Sequence, residues 1–337
     1  VKAYGREVAR QCREMGIHIN FAPSIDVHSN PLNPVIGTRS FGELPDNVAK
    51  QGIAFAGGME ENGVMAVAKH FPGHGDTSED SHLTLPTVGH DINRLNSVEL
   101  HPFQQYVDAG LSGMMLGHLN VPALDTNGLP ASLSKNVGQK LLKDQMGFTG
   151  LTFTDGMAMK GVSNQPDMSV KALLAGNDVI LGVSNQEQQF QQVKQAVEKG
   201  VITQTMLEEK VRKILTYKYI LDVHNFKPIN TRTLSRTINS PKSEWMQRKI
   251  YDRAVTLVKN NDSLLPVTAL DKNRIASVAI GAPEQNTFQK WLKKYAGVTT
   301  FQAATADNLT LIFNELKDFE MVIISVHSIR INDSQML

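Results

Sequence analysis

The stretch VAKHFPGHGDTSEDSH, residues 67–82, gathers His70, His74 and His82, the acids Asp76, Glu79 and Asp80, and Lys69 around two glycines. Ionisable groups at that density can ligate a metal, or can pair an acid with a base to move a proton onto a departing group. A metal site would draw on His70, His74, His82 and Asp80, but it leaves Pro72, Gly73 and Gly75 without a purpose and sets the Lys69 charge against a nearby cation. No metal is expected. Glycoside chemistry uses the residues more fully, because one group must protonate the leaving oxygen while a carboxylate stands beneath the anomeric carbon. Asp155 closes the apolar run LTFTD, and Gly156 leaves room for a substrate beside it, so Asp155 is the natural nucleophile. Asp80 and His82 lie two apart on a glycine-rich loop, where a carboxylate can hold an imidazole in one tautomer and stabilise its charged form.

These groups need strands to carry them to one place. Apolar runs at 19–27, 64–71, 113–119, 151–155 and 178–182 alternate with helical patterns at 45–62, 91–109, 134–146 and 168–175, followed by 186–199 and 204–221. That alternation predicts a parallel sheet with covering helices, and polar strand ends favour a β/α barrel over a flat sheet. Asp26, Lys69, His70, His118 and Asp155 then fall together at the carboxyl ends of strands, the face where such barrels keep their chemistry. Five strands fall short of eight, so either the sheet is open or the first barrel strands precede Val1. Residues 222–242 have no sustained period and read as a linker, and 243–337 as a second α/β unit with strands at 275–281 and 321–327 and a helix around 285–296.

A chain of 337 residues suggests two domains. With 41% hydrophobic and 20% charged residues and a formal net charge of +1, it has no basic excess, and no nucleic-acid partner is expected. No apolar run reaches the roughly 20 residues of a membrane span. Cys12 lies on the helical stripe Val1, Tyr4, Val8, Cys12, Met15 and is expected as a buried thiol; a lone cysteine also excludes an internal disulfide.

KHFPGHGDTSEDSH together with FTDGMAMKGV resembles glycoside hydrolase family 3, in particular its β-N-acetylglucosaminidase branch. The resemblance covers residues 1–221 and extends through RAVTLVKNNDSLLPV, which is similar to the start of the family's C-terminal sandwich. It implies a TIM-type (β/α)8 barrel over 1–221 whose N-terminal strands lie upstream, a linker at 222–242, and a partial α/β sandwich domain over 243–337. It implies a retaining double displacement in which Asp155 is the nucleophile, His82 the acid/base and Asp80 its orienting partner. Lys69, His70 and Arg39 match residues that contact the sugar. The substrate class is an oligosaccharide from peptidoglycan or chitin, with no cofactor and with a cell-envelope or exported setting favoured. Nothing in the sequence sets the oligomeric state. Gly156 departs from relatives with a second acid or a small residue after the nucleophile, and is expected to reshape the pocket rather than the chemistry.

Each assignment has a plainer counterpart. Asp155 could cap a helix, Asp80 could be a solvated acid, and Arg39 could pair with Glu43 or Asp26. His74 is read as a loop-tying histidine, while Asp26 and His118 stand between rim scaffolding and substrate contact. The other functions compatible with these residues are a β-glucosidase or β-xylosidase of the same family, a metal-dependent barrel hydrolase, and an inactive sugar-binding protein.

Overall fold

Strands β1 (Ile19–Asn20), β2 (Met65–Phe71), β3 (Gly113–Leu116), β4 (Leu151–Gly156) and β5 (Val179–Leu181) form one sheet in sequence order, every neighbouring pair parallel. They belong to a computed structural model that describes residues 1–79, 84–163, 165–284, 286–303 and 306–327. Covering helices bury both faces of a parallel sheet, so its central strands need no polar alternation. MAVAKHF in β2 and GMML in β3 are buried almost throughout for that reason. The strand expected at 19–27 is cut short because Pro23 has no N–H for the ladder; beyond it the pairing resumes where Ser24 bridges Lys69.

The five strands expected of this stretch are present. Among the described residues this sheet has five, with β1 and β5 as its edges, so it is an open, curled half-barrel. It is clad by α1 (Lys2–Glu14), α2 (Pro45–Glu60), α3 (Ile92–Ser97), α4 (His101–Asp108), a π-helix over Asn136–Gln145, α5 (Lys160–Ser163), α6 (Met168–Leu174), α7 (Gln186–Glu198) and α8 (Gln204–Ile220). The single helix expected at 91–109 is two. Asp91 caps α3 by accepting from Arg94 N at 2.9 Å, and Pro102 enters at the first turn of α4, where its missing N–H is harmless. On α1 the predicted apolar stripe is only partly right: Cys12 is buried, but Val1, Tyr4 and Met15 are exposed. The buried face is Gly5, Glu7, Ala9 and Cys12, since small residues let α1 settle onto Phe55, Ala56 and Met59 of α2.

Residues 222–242 hold α9 (Leu234–Ile238) and lead into α10 (Pro241–Ala254). Arg10 Nη1 donates to Thr237 O at 2.9 Å and Nη2 to Ile238 O at 3.2 Å, which ties this stretch to α1. The chain folds as two compact units, Val1–Asp252 and Arg253–Leu337. The second contains β6 (Ile275–Ile280), α11 (Thr287–Leu292), β7 (Val298–Ala303), α12 (Ala306–Leu316) and β8 (Met321–Val326), with parallel order β7-β6-β8. Strand β7 is an addition to the expected elements, because its VTTFQA is too polar to stand out as a core strand. No helix among the described residues is long and apolar enough to cross a membrane.

Candidate active site

The rim at the carboxyl ends of β2 to β4 is organised by Asp26, which is 0% exposed. Its Oδ1 accepts from His70 N at 3.0 Å and His74 N at 2.7 Å; its Oδ2 accepts from Ser24 Oγ at 2.8 Å and lies 2.8 Å from His70 Nδ1. Burial works against the charge of this carboxyl, but the interactions with His70, and with His74 beyond it, outweigh burial and hold its pKa far below the usual range. Every lone-pair direction of Asp26 is thus spent on the protein. The structure resolves its ambiguity in favour of scaffolding.

His70 carries that order outward. Arg39 Nη2 sits 3.4 Å from His70 Nε2, and because a guanidinium can only donate, the histidine accepts there and presents its N–H to Asp26. Arg39 is exposed at the end of a 3₁₀ turn over Gly37–Arg39 and also donates to Val35 O at 3.2 Å. Among the described residues its hydrogen bonds go to His70 and Val35 rather than to Glu43 or Asp26. Lys69 is half-buried; burial and the Arg39 charge lower its pKa, with Asp155 and Asp26 pulling the other way. Lys69, His70 and Arg39, each expected as a sugar contact, therefore stand together, and Lys69 and His70 are near enough to Asp155 to act on its charge.

The FPGHG turn follows. Gly73 N donates to His70 O at 2.8 Å, and Gly73 has φ +131°, a conformation that side chains resist. Gly75 lies so close to Val27 that a Cβ there would meet Val27 O at 1.7 Å. His74 is buried, with Nδ1 2.7 Å from Thr77 Oγ1, and Asn33 Nδ2 donates to His74 O at 2.8 Å. Burial, with the charge of His70, lowers the His74 pKa against the pull of Asp26. These bonds make His74 a loop tie. Asp76 is gripped by Ser29 Oγ at 2.9 Å and His90 Nε2 at 2.5 Å, and Thr84 Oγ1 donates to Glu79 Oε2 at 3.1 Å. Asp80 and His82 lie outside the described residues, between these two anchored ends.

Asp155, half-buried near the end of β4, takes a hydrogen bond from Gly156 N at 2.8 Å. Burial raises its pKa, but His70 and His118, which become charged only when protonated in acid, the Gly156 N–H and Lys69 more than offset this and leave it lowered, so the carboxylate is ionised near neutral pH. His118, 1% exposed, lies with Nε2 3.0 Å from Gly156 O and Nδ1 2.7 Å from Ser132 Oγ. A carbonyl only accepts, so Nε2 bears the proton and Nδ1 takes the serine hydroxyl. Burial lowers the His118 pKa and favours that neutral form. His118 is thus a brace for Gly156, the residue after Asp155. Gly156 has ordinary space around it, the nearest atom to a Cβ there being Met159 Sδ at 3.7 Å.

Ser24, Asn33 and Ser132 were not legible as site residues in the sequence. Ser24 holds the Asp26 carboxylate, Asn33 the backbone carbonyl of His74 and Ser132 the His118 ring, and a small polar residue carries no periodic or motif signal for that. Among the described residues no three His, Cys, Asp or Glu side chains form a metal-binding group.

A parallel β/α sheet that lifts an ionised carboxylate, a lysine and a buttressed histidine to one rim is a domain of the kind that keeps its chemistry at strand carboxyl ends. Residues 1–217 match the Glycosyl hydrolase family 3 N terminal domain, and the chain belongs to that family. It is 34% identical over 286 residues to Beta-hexosaminidase A of Pseudoalteromonas piscicida, covering 77% of this chain and 47% of that protein. With the Beta-N-acetylglucosaminidase/beta-glucosidase of Cellulomonas fimi it shares 28% identity over 273 residues, 77% of this chain and 48% of the other. The chain spans about half the length of these curated relatives. A solved glycoside hydrolase family 3 beta-N-acetylglucosaminidase from Paenibacillus sp. str. FPU-7 superposes with TM-score 0.79 at 30% identity, over 97% of this chain and 66% of that one.

Proposed function

We propose that the protein is a retaining exo-β-N-acetylglucosaminidase acting on oligosaccharides derived from peptidoglycan or chitin. The observation that carries this reading is the ionised Asp155 carboxylate, held by the Gly156 N–H at 2.8 Å and facing a rim that contains Lys69, His70 and Arg39. The names of the hexosaminidase relatives support the choice of sugar. In this reading the half-barrel over 1–221 is part of a complete (β/α)8 barrel in the full protein, with 222–242 connecting it to an α/β sandwich that begins within 243–337.

Asp155 attacks the anomeric carbon as the bond to the leaving oxygen breaks, and that oxygen takes a proton from His82. The glycosyl ester formed on Asp155 is then opened by water, whose proton returns to His82, and the sugar leaves with its β configuration retained. Asp80 orients the imidazole through both steps. Lys69, His70 and Arg39 hold sugar hydroxyls so that the anomeric carbon stays over Asp155.

The test is a panel of nitrophenyl β-glycosides with the full-length protein. The 2-acetamido sugar is expected to be turned over with the highest kcat/KM. Preference for glucose or xylose would move the protein to another branch of the family, and binding of N-acetylglucosamine without turnover would make it a sugar-binding protein.

A further inference from the structure

At the opposite end of β4 from Asp155 lies a second cluster that the glycosidase reading does not use. Thr152 N and Oγ1 both donate to Asp178 Oδ2 at 2.9 Å, and three lysines converge on the same carboxylate. Lys143 Nζ lies 3.3 Å from Asp178 Oδ1, Lys210 Nζ 3.7 Å from Oδ1, and Lys213 Nζ 3.1 Å from Oδ2. All three side chains are mostly buried, at 16%, 11% and 24% exposure. They line a cavity of about 470 Å³ that Lys135 and Glu209 also face. Four ammonium groups therefore share two carboxylates. An ammonium has three donors; among the described residues Lys143 donates to Gly176 O and Asp178, Lys210 to Asn177 O, and Lys213 to Asp178 alone, so each keeps at least one donor for a ligand.

A second feature points into the same cavity. The first turn of α8, with Thr203 and Thr205, forms part of its wall, and α8 is 17 residues long. Thr203 Oγ1 accepts from Met206 N at 3.2 Å, which leaves the N–H groups of Gln204 and Thr205 without a partner within the helix and carrying partial positive charge. A helix start and surplus buried cations facing one cavity make an anion site.

We propose that this cavity binds a phosphate-bearing small molecule, with Lys143, Lys210 and Lys213 neutralising the phosphoryl oxygens and the start of α8 donating to them. The volume exceeds what inorganic phosphate fills and lies within the range of small-ligand sites. A phosphate ester therefore fits better than the free ion. Binding supplies the countercharge that Asp178 and Glu209 leave short.

Lys143 gives the site a signature. Burial, and then repulsion from Lys213 and Lys210 against the attraction of Asp178, brings its pKa down to about 8. A bound phosphate raises it again, so binding near pH 8 takes up a proton.

The experiment is calorimetric titration of the full chain with glycerol 3-phosphate and with inorganic phosphate, at constant ionic strength, in buffers of differing ionisation heat at pH 8. Saturable binding is expected for both, tighter for the ester, with proton uptake that disappears in Lys143→Gln. Lys143→Gln and Lys213→Gln should each weaken binding by at least about tenfold, as loss of a charge-assisted contact does. Lys135→Glu, at an exposed position, supplies a variant with little risk to folding and should weaken binding as well. Arg39→Gln, on the sugar rim, should leave it unchanged. Absence of saturation up to about 50 mM, far weaker than any useful site, would overturn the proposal, as would binding indifferent to the lysine changes or abolished by Arg39→Gln.

Discussion

His118 Nε2 lies 3.0 Å from the carbonyl oxygen of Gly156, the residue whose N–H holds Asp155. A histidine buried 38 residues upstream thereby holds the carbonyl of Gly156, the residue whose N–H the proposed nucleophile accepts.

Removing that brace should act on the reaction more than on binding. His118→Ala is expected to lower kcat by about ten- to a hundredfold with a smaller change in KM, since small misplacements of a reacting group carry penalties of that size. His118→Gln, whose amide can still donate to the Gly156 carbonyl, should recover part of the loss. Steady-state kinetics with a nitrophenyl substrate on the full-length protein separates the two parameters; equal effects on all variants through KM alone would remove His118 from this role.

Asp155→Asn should abolish turnover while leaving the fold intact, because an amide cannot attack the anomeric carbon. Residual activity above about a hundredth of wild type, with matching circular dichroism, would take Asp155 out of the nucleophile position.

Asp80→Ala and His82→Ala should not multiply. If the carboxylate serves only to hold and charge-stabilise the imidazole, the double variant is hardly slower than His82→Ala alone. Aryl glycosides with good leaving groups should lose less than natural glycosides, and the pH profile of His82→Ala should lose its acid/base limb while the limb of the Asp155 carboxylate, lowered by His70 and His118 against burial, persists. Independent, multiplicative losses insensitive to the leaving group would make the pair a loop staple.

Asp26→Asn should destabilise the fold by about 3 kcal/mol, since an amide can accept at only one of the two oxygen positions and turns a donor either toward the His70 and His74 N–H groups or toward the Ser24 hydroxyl and His70 Nδ1–H, breaking a buried network. Urea unfolding checks this. A loss below about 0.5 kcal/mol, the scale of a surface change, would mean that the rim does not depend on Asp26.

Glu7 supplies an acid-sensitive tie between α1 and α10. Hydrogen bonding from Arg10, opposed by burial and joined by Ser243 and Gln11, lowers its pKa from 4.5 to about 2. A carboxyl lowered on folding stabilises the folded state above its unfolded value and loses that contribution as pH falls through the folded one. Glu7→Gln is thus expected to cost about 2 kcal/mol at pH 7, and the gap from wild type should close between pH 4.5 and about 2. Denaturation at a series of pH values measures it, and a gap independent of pH would assign the effect to packing.

Much of the rim could be read from the chain because its signals are local. The apolar runs that become β2, β3, β4 and β5 are continuous, as strands buried on both faces must be, and the residues at their ends follow without further information. The density of histidines and acids in VAKHFPGHGDTSEDSH pointed to chemistry, and the run after β2 is specific enough to indicate the family. Partnership across long separations was not legible. The sequence leaves Asp26 and His118 between scaffold and contact, and it is their partners, 44 and 38 residues away, that occupy the hydrogen-bonding atoms of both. The face that α1 buries differs from the expected one for the same reason: helical period names a stripe, but the neighbour decides which stripe is covered, and α2 takes the small residues. The lysines around Asp178 come from the π-helix and from α8, and carry no motif. Periodicity and motif are properties of a few adjacent residues and survive in the sequence alone; charge sharing, hydrogen-bond satisfaction and burial are sums over everything nearby in space, and only the folded chain brings their terms together.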